Sequence, residues 1–296
     1  MSIIYIHGVA VRDQQGEVMA SGGNKLLERL LEEITWDMVE PRLRQFIAPE
    51  IASNAAGVKI LHAYWGDLAA GLAWDGASSL PIEDAHAASL IVSPAAARSH
   101  FLADLRRPLN HLGARFFGDV FCYLNSRGNS DKPGAIPQRM LDLLAEAQKV
   151  KEESGEPIIV LTNSMGGQIM YDIVTYFLPR LPAYSDIHVD LWCSVASQIG
   201  LFEEMKLFLA SSSEYSKAAG NRVPFPDRKY LGAWWNVWDV DDIISYSVRD
   251  IIEGVDDTPF RVGQWLFKEH IGYLQEESFY QLFAQKVRET ITSKQI

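Results

Sequence analysis

Between Pro157 and Leu178 the hydrophobic period of the chain changes once, at Ser164. Upstream, Pro157-Ile-Ile-Val-Leu-Thr-Asn is an almost unbroken apolar run of strand length, the pattern of a strand covered on both faces. Downstream, Ile169, Met170, Ile173, Val174, Phe177 and Leu178 recur at spacings of three and four, as on a helix packed against a sheet. A buried strand that turns directly into a buried helix is half of a crossover unit, and crossover units build parallel sheets. The remaining chain follows suit. Short β-branched or aromatic runs predict strands at 3–6, 58–64, 119–124, 157–161, 188–196 and 233–238, and Pro137 to Lys151 reads as a crossover helix through Met140, Leu141, Leu144 and Ala147. The expected fold is α/β, a mostly parallel twisted sheet flanked by helices.

With 296 residues, 48% of them hydrophobic, the chain can bury the core of one such domain spanning 1–296. Two stretches exceed what strand–helix connections need, 66–118 and 202–229. Both are candidates for cap elements over a substrate; surface decoration is the other reading. A formal net charge of -11 disfavours phosphate backbones and anionic membranes, so no nucleic-acid partner is expected. No apolar run is long enough for an integral membrane segment, and the start of the chain lacks the features of a secretory leader. Cys122 and Cys193 each lie in an apolar run that reads as a strand and are expected as buried thiols, which points to a cytoplasmic location. A protein partner or homo-oligomer is left open.

Ser164, at the carboxyl end of a strand and the start of a helix, would be lifted above the sheet edge beside unpaired N–H groups. Such a serine needs a base, and the base needs an orienting acid. His270 lies just before a helical pattern through Phe279, Leu282, Phe283 and Val287. Asp239, Asp241 and Asp242 follow the strand that ends at Trp238; they can equally cap a helix starting at Ile243. His86, His100 and His111, with Glu83, Asp84 and Asp104 nearby, show no tight ligand pair, so neither metal nor cofactor is expected. Ser21-Gly22-Gly23-Asn24 lacks the lysine of a phosphate loop and fits a helix start before 25–34. Trp234, Trp235 and Trp238 read as core, or as a pocket wall.

Asn163-Ser164-Met165-Gly166-Gly167 resembles the nucleophile elbow of the α/β-hydrolase superfamily, with Thr162 where the usual G-x-S-x-G motif has its first glycine. The order Ser164, aspartate, His270 is that family's, and His270 followed by Tyr273 is similar to its base segment. The resemblance implies Ser164 as nucleophile, His270 as base and Asp242 as acid, since Ile244 stands two residues after it; Asp239 is the alternative acid. It also implies an oxyanion hole from the N–H of Met165 and of Val9 or Gly8, because Ile3-Ile-Tyr-Ile-His-Gly-Val is similar to the family's strand plus His-Gly turn. The segments 117–124 and 236–246 resemble lipase-related subfamilies, more distantly the inositol-deacylase and DDHD-type phospholipase groups. The function so implied is a serine esterase or lipase-like hydrolase acting on a small-molecule ester or lipid. The contrasting reading is a catalytically weak or inactive hydrolase-fold module that binds or regulates.

Overall fold

A computed structural model describes residues 2–9, 35–69, 117–212, 214–215, 220–263, 270 and 272–293. Six strands form one all-parallel sheet: β1 (Ser2–Ile6), β2 (Lys59–Ala63), β3 (Ile158–Asn163), β4 (Val189–Val195), β5 (Leu231–Trp238) and β6 (Asp256–Pro259). Their order is β2-β1-β3-β4-β5-β6. The chain therefore steps outward from β1 to β2, jumps back across β1 to β3, and then proceeds in the other direction. Right-handed crossovers place helices on opposite faces when the direction of travel reverses.

That is what the side chains record. On one face Ile4, Ile6, Ile158 and Val160 pack against α3 (Ala135–Ser154) and α4, which runs Met165–Asp172 and continues through the π-helical turn Ile173–Phe177. On the other face Ile3, Tyr5, Ile159 and Leu161 pack against α1 and α6 (Glu277–Ser293). Here α1 is Trp36–Arg42, carried through the π-helical turn Leu43–Ile47 into Ala48–Ile51. Alternate residues of each central strand thus feed separate cores, which is why these strands read as continuous apolar runs. A shorter helix, α5 (Ile199–Glu204), follows β4.

Two expectations fail. Residues 117–126 are helical (α2), not a strand at 119–124. Asp119 and Tyr123, four apart, are buried, whereas Phe117 and Phe121, also four apart, are each 59% exposed; the aromatic residues that suggested a strand lie one helical turn apart. Cys122 accordingly sits half-buried on a helix, while Cys193 is buried within β4. The missed element is β6, four residues with two aspartates and a proline, no apolar alternation to announce it, and a place at the sheet edge where proline is tolerated.

Among the described residues no helix is long and apolar enough to cross a membrane. The interior of the 66–118 insertion, the segment 21–34 and the histidines at 86, 100 and 111 lie outside them. Described parts of 202–229 pack inward, with Phe202, Phe208, Tyr215 and Val223 buried in the core on the α3–α4 face. Two buried carboxylates hold this segment. Asp172 of α4 accepts the N–H of Leu209 at 2.9 Å, besides Tyr123 Oη and the Arg127 guanidinium, each at 2.9 Å. Glu203 of α5 accepts Ser211 Oγ at 3.0 Å and the N–H of Ser212 at 3.2 Å.

The other organising acid is Asp257 in β6. Its Oδ1 accepts Asn236 Nδ2 (2.7 Å) and the N–H of Val248 (2.9 Å), and its Oδ2 accepts Trp238 Nε1 (2.9 Å) and Ser247 Oγ (2.7 Å). One side chain thus ties β5, β6 and the loop after β5. Asp257→Ala leaves all four donors without this acceptor and is expected to cost about 3 kcal/mol of unfolding free energy, measured by urea denaturation. The exposed Asp241→Ala is expected to cost less than about 0.5 kcal/mol in the same assay.

Candidate active site

The strand order reverses between β1 and β3, and open α/β sheets bind ligands outside the carboxyl ends of strands at such a reversal. Register aligns those ends: Ile6 pairs with Thr162, Asn163 with Val195, and Val195 with Val237. Gly8, just past β1, lies against Ser164, just past β3; a Cβ on Gly8 would come 2.9 Å from Ser164 Cβ. On the next turn a Cβ on Gly166 would lie 2.4 Å from the carbonyl oxygen of Ile6. Only hydrogen fits there, so α4 starts in contact with the end of β1.

Ser164 is bent sharply between strand and helix, with φ 51° and ψ -124°, a region that non-glycine residues rarely occupy and that costs about 1–3 kcal/mol. Its N–H donates to Val195 O and its carbonyl accepts the N–H of Gly167, both at 2.9 Å, which hold the bend. Thr162 stands where the motif that this segment resembles has a glycine, and its surroundings accommodate it. Thr162 faces inward with its Oγ1 accepting the indole N–H of Trp192 at 2.9 Å, and the helix gives way at Gly167 instead, where a Cβ would meet Ser197 Cβ at 2.9 Å.

His270 Nε2 lies 2.9 Å from Ser164 Oγ, and its Nδ1 lies 2.8 Å from Asp242 Oδ2. A carboxylate only accepts, so Nδ1 carries the proton and Nε2 is free to accept from the serine hydroxyl. Of the three neighbouring aspartates, Asp242 is the one at the histidine. Asp239 spends both oxygens on backbone, accepting the N–H of Asp241 at 3.0 Å and of Val262 at 2.8 Å, while Asp241 is exposed. Asp239 thereby ties the acid loop to the chain leading to His270. The helix-capping alternative is not realised: no helix follows Asp242, whose Oδ1 accepts the N–H of Ile244 at 3.1 Å in a turn. Tyr273 Oη stands 3.4 Å from Asp242 Oδ2. Burial, reinforced by the Asp242 charge, pushes its phenol far above the ordinary range, so it stays a neutral donor beside the acid.

Met165 is the first residue of α4, where an N–H has no intrahelical acceptor. The β1 turn is braced by two residues that sequence reasoning did not connect. His7 Nδ1–H donates to Gly8 O at 2.6 Å, while its Nε2 accepts the N–H of Trp65 at 3.0 Å and the two rings stack at 5.2 Å. Since the Gly8 carbonyl points at His7, the N–H of Val9 across the same trans peptide points away from it. The sequence signals His7 through the His-Gly pair and reads Tyr64-Trp65-Gly66-Asp67 as core or pocket wall, and Trp65 is fully buried, but nothing in it pairs Trp65 with His7, 58 positions earlier. Trp234 and Trp235 are buried core, and Trp238 is half-buried on Asp257. Among the described residues no group of three or more His, Cys, Asp or Glu is placed to hold a metal.

Because the backbone at position 164 suits glycine, Ser164→Gly is expected to be more stable than Ser164→Ala by about 1 kcal/mol, the reverse of the usual order for these two residues. Thermal unfolding of the two variants side by side measures it.

No protein-family model matches this chain, and no curated protein matches its sequence. What is shown is an open, all-parallel α/β sheet compatible with the α/β-hydrolase architecture, with Ser164, His270 and Asp242 hydrogen-bonded at its carboxyl edge.

Proposed function

We propose that the protein is a serine hydrolase that cleaves an ester through an acyl-enzyme on Ser164. The observation that carries this reading is the chain Ser164 Oγ–His270–Asp242, with bonds of 2.9 and 2.8 Å, built on a serine at positive φ. Holding a serine in that bend costs stability, and activation of its hydroxyl gives the cost a purpose.

In this mechanism Ser164 Oγ attacks the ester carbonyl carbon as its proton passes to His270 Nε2, and Asp242 stabilises the imidazolium. The oxyanion is met by the N–H of Met165 and the N–H of Val9, each such donor being worth about 10²–10³ in rate. Collapse breaks the bond to the alcohol, which leaves with the proton from Nε2. Water then gives a proton to Nε2 and attacks the acyl carbon, and the second collapse releases the acid and restores Ser164. Val240 and Ile243 on the acid loop are 60% and 71% exposed, an apolar rim that suits a neutral ester, lipid esters included, as does the negative charge of the protein. Two free cysteines support a reducing, cytoplasmic setting.

Fluorophosphonate is expected to label the pure protein covalently, and Ser164→Ala to abolish labelling; unchanged labelling in that variant refutes the assignment. On a short-chain ester, Asp242→Asn is expected to lower kcat by about 10³–10⁴. Asp239→Asn, by contrast, is expected mainly to lower the unfolding temperature. If Asp239→Asn and not Asp242→Asn abolished turnover, the acid is misassigned.

A further inference from the structure

We infer that Gln198 is a positioning residue for the catalytic acid, acting through the peptide of Ile244. Its catalytic consequence rests on the hydrolase reading above; its structural content does not.

Gln198 follows β4 and is 4% exposed, yet every hydrogen-bonding group of its side chain is used. Nε2 donates to Ala196 O at 2.8 Å and to Ile244 O at 2.7 Å, and Oε1 accepts Gln168 Nε2 at 2.5 Å. Two carbonyl partners fix which end of the amide faces the acid loop, because carbonyls accept only from the NH2 group. Ile244 is therefore gripped on both sides. Its carbonyl is held by Gln198, and its N–H is held by Asp242 Oδ1, while the other oxygen of Asp242 meets His270. The Ile244 carbonyl belongs to the peptide joining Ile244 to Ser245, whose N–H donates to the Asp242 carbonyl at 3.1 Å, so Gln198 steadies the turn in which the preceding N–H holds Oδ1 and thereby directs Oδ2 at the imidazole.

The far end of the bridge stands on the nucleophile helix. Gln168 lies in the first turn of α4, four residues after Ser164. Nucleophile helix, strand end and acid loop are thus linked through one amide pair. Ala196, whose carbonyl Gln198 also holds, has a φ of 54°, so the turn that presents Gln198 is itself kept in a conformation unusual for a non-glycine residue. Among the described residues, the other ionisable groups beside the acid are Tyr273, which contacts Asp242 directly, and Asp239, which is committed to the backbone. Neither touches the Ile244 carbonyl.

The test uses Gln198→Met, which keeps length and volume and removes the donors, together with Gln198→His, which can retain one N–H. On a short-chain ester Gln198→Met is expected to lower kcat/KM by roughly ten- to a hundredfold, through kcat rather than KM, as misplacement of a catalytic group does. Gln198→His is expected to recover part of that loss. In an Asp242→Asn background Gln198→Met should change kcat/KM no further, whereas general loosening of the fold would multiply with it. A readout independent of turnover is the far-downfield proton resonance of His270 Nδ1–H, assigned by its absence from Asp242→Asn. It should broaden or vanish in Gln198→Met and persist in Gln198→His. A resonance and a kcat/KM unchanged in folded Gln198→Met overturn the inference; should that variant not fold, Gln198→Glu, which keeps the shape but sets an acceptor against the two carbonyls, takes its place, and a resonance unchanged in folded Gln198→Glu overturns it. A parent that neither labels nor turns over ester fails the hydrolase reading instead, and the resonance alone then decides the role of Gln198.

Discussion

Everything at the carboxyl edge of the sheet depends on how closely α4 approaches the end of β1. Gly8 and Gly166 leave no room for a side chain between the two, so Ser164 emerges beside the β1 turn rather than a strand width away from it. Parallel strands are spaced about 4.8 Å apart by their hydrogen bonds, and that spacing alone would leave the serine and the β1 turn separated by their own side chains. The missing methyl groups turn a sheet edge into a site where a hydroxyl and backbone donors can face one carbonyl group.

Acidic residues do the remaining organisation, and most do so as acceptors of neutral N–H and O–H groups. Asp257, Asp239, Asp172 and Glu203 each bind several such donors. A carboxylate offers about four lone-pair directions, more than any neutral side chain, and so can gather strands, loops and helix ends that share no periodic pattern. Burial raises the carboxyl groups of both Asp172 and Glu203 above their ordinary values, a tendency their hydrogen bonds oppose. The net charge of the protein, read from the sequence as a statement about partners, is in part a statement about its interior.

What was legible in the sequence is what repeats. Strand runs such as Ile158–Asn163 and the helical spacing of Met140, Leu141 and Leu144 express burial on a fixed period, and burial is what periodic patterns report. Ser164 could be found because it sits where one period gives way to the other. The roles that escaped, those of Gln198, Asp257 and the Trp65–His7 pairing, rest on long-range hydrogen bonds at places without a period, and β6 owes its existence to a partner strand rather than to its own composition. The failure at 119–124 has the same root: a six-residue window is too short to separate a period of two from one of 3.6 when aromatic residues fill both.

The pairing of His7 with Trp65 has a mechanical meaning. Trp65 is the residue from which the chain leaves β2 for the long insertion beginning at position 66, and it grips His7 by its own N–H, by its indole N–H on the His7 carbonyl at 2.9 Å, and by ring stacking. The imidazole so gripped in turn holds the Gly8 carbonyl. The turn past β1 that lies against Ser164 is thus braced by the first residues past β2, so two neighbouring strands share the support of one edge of the site.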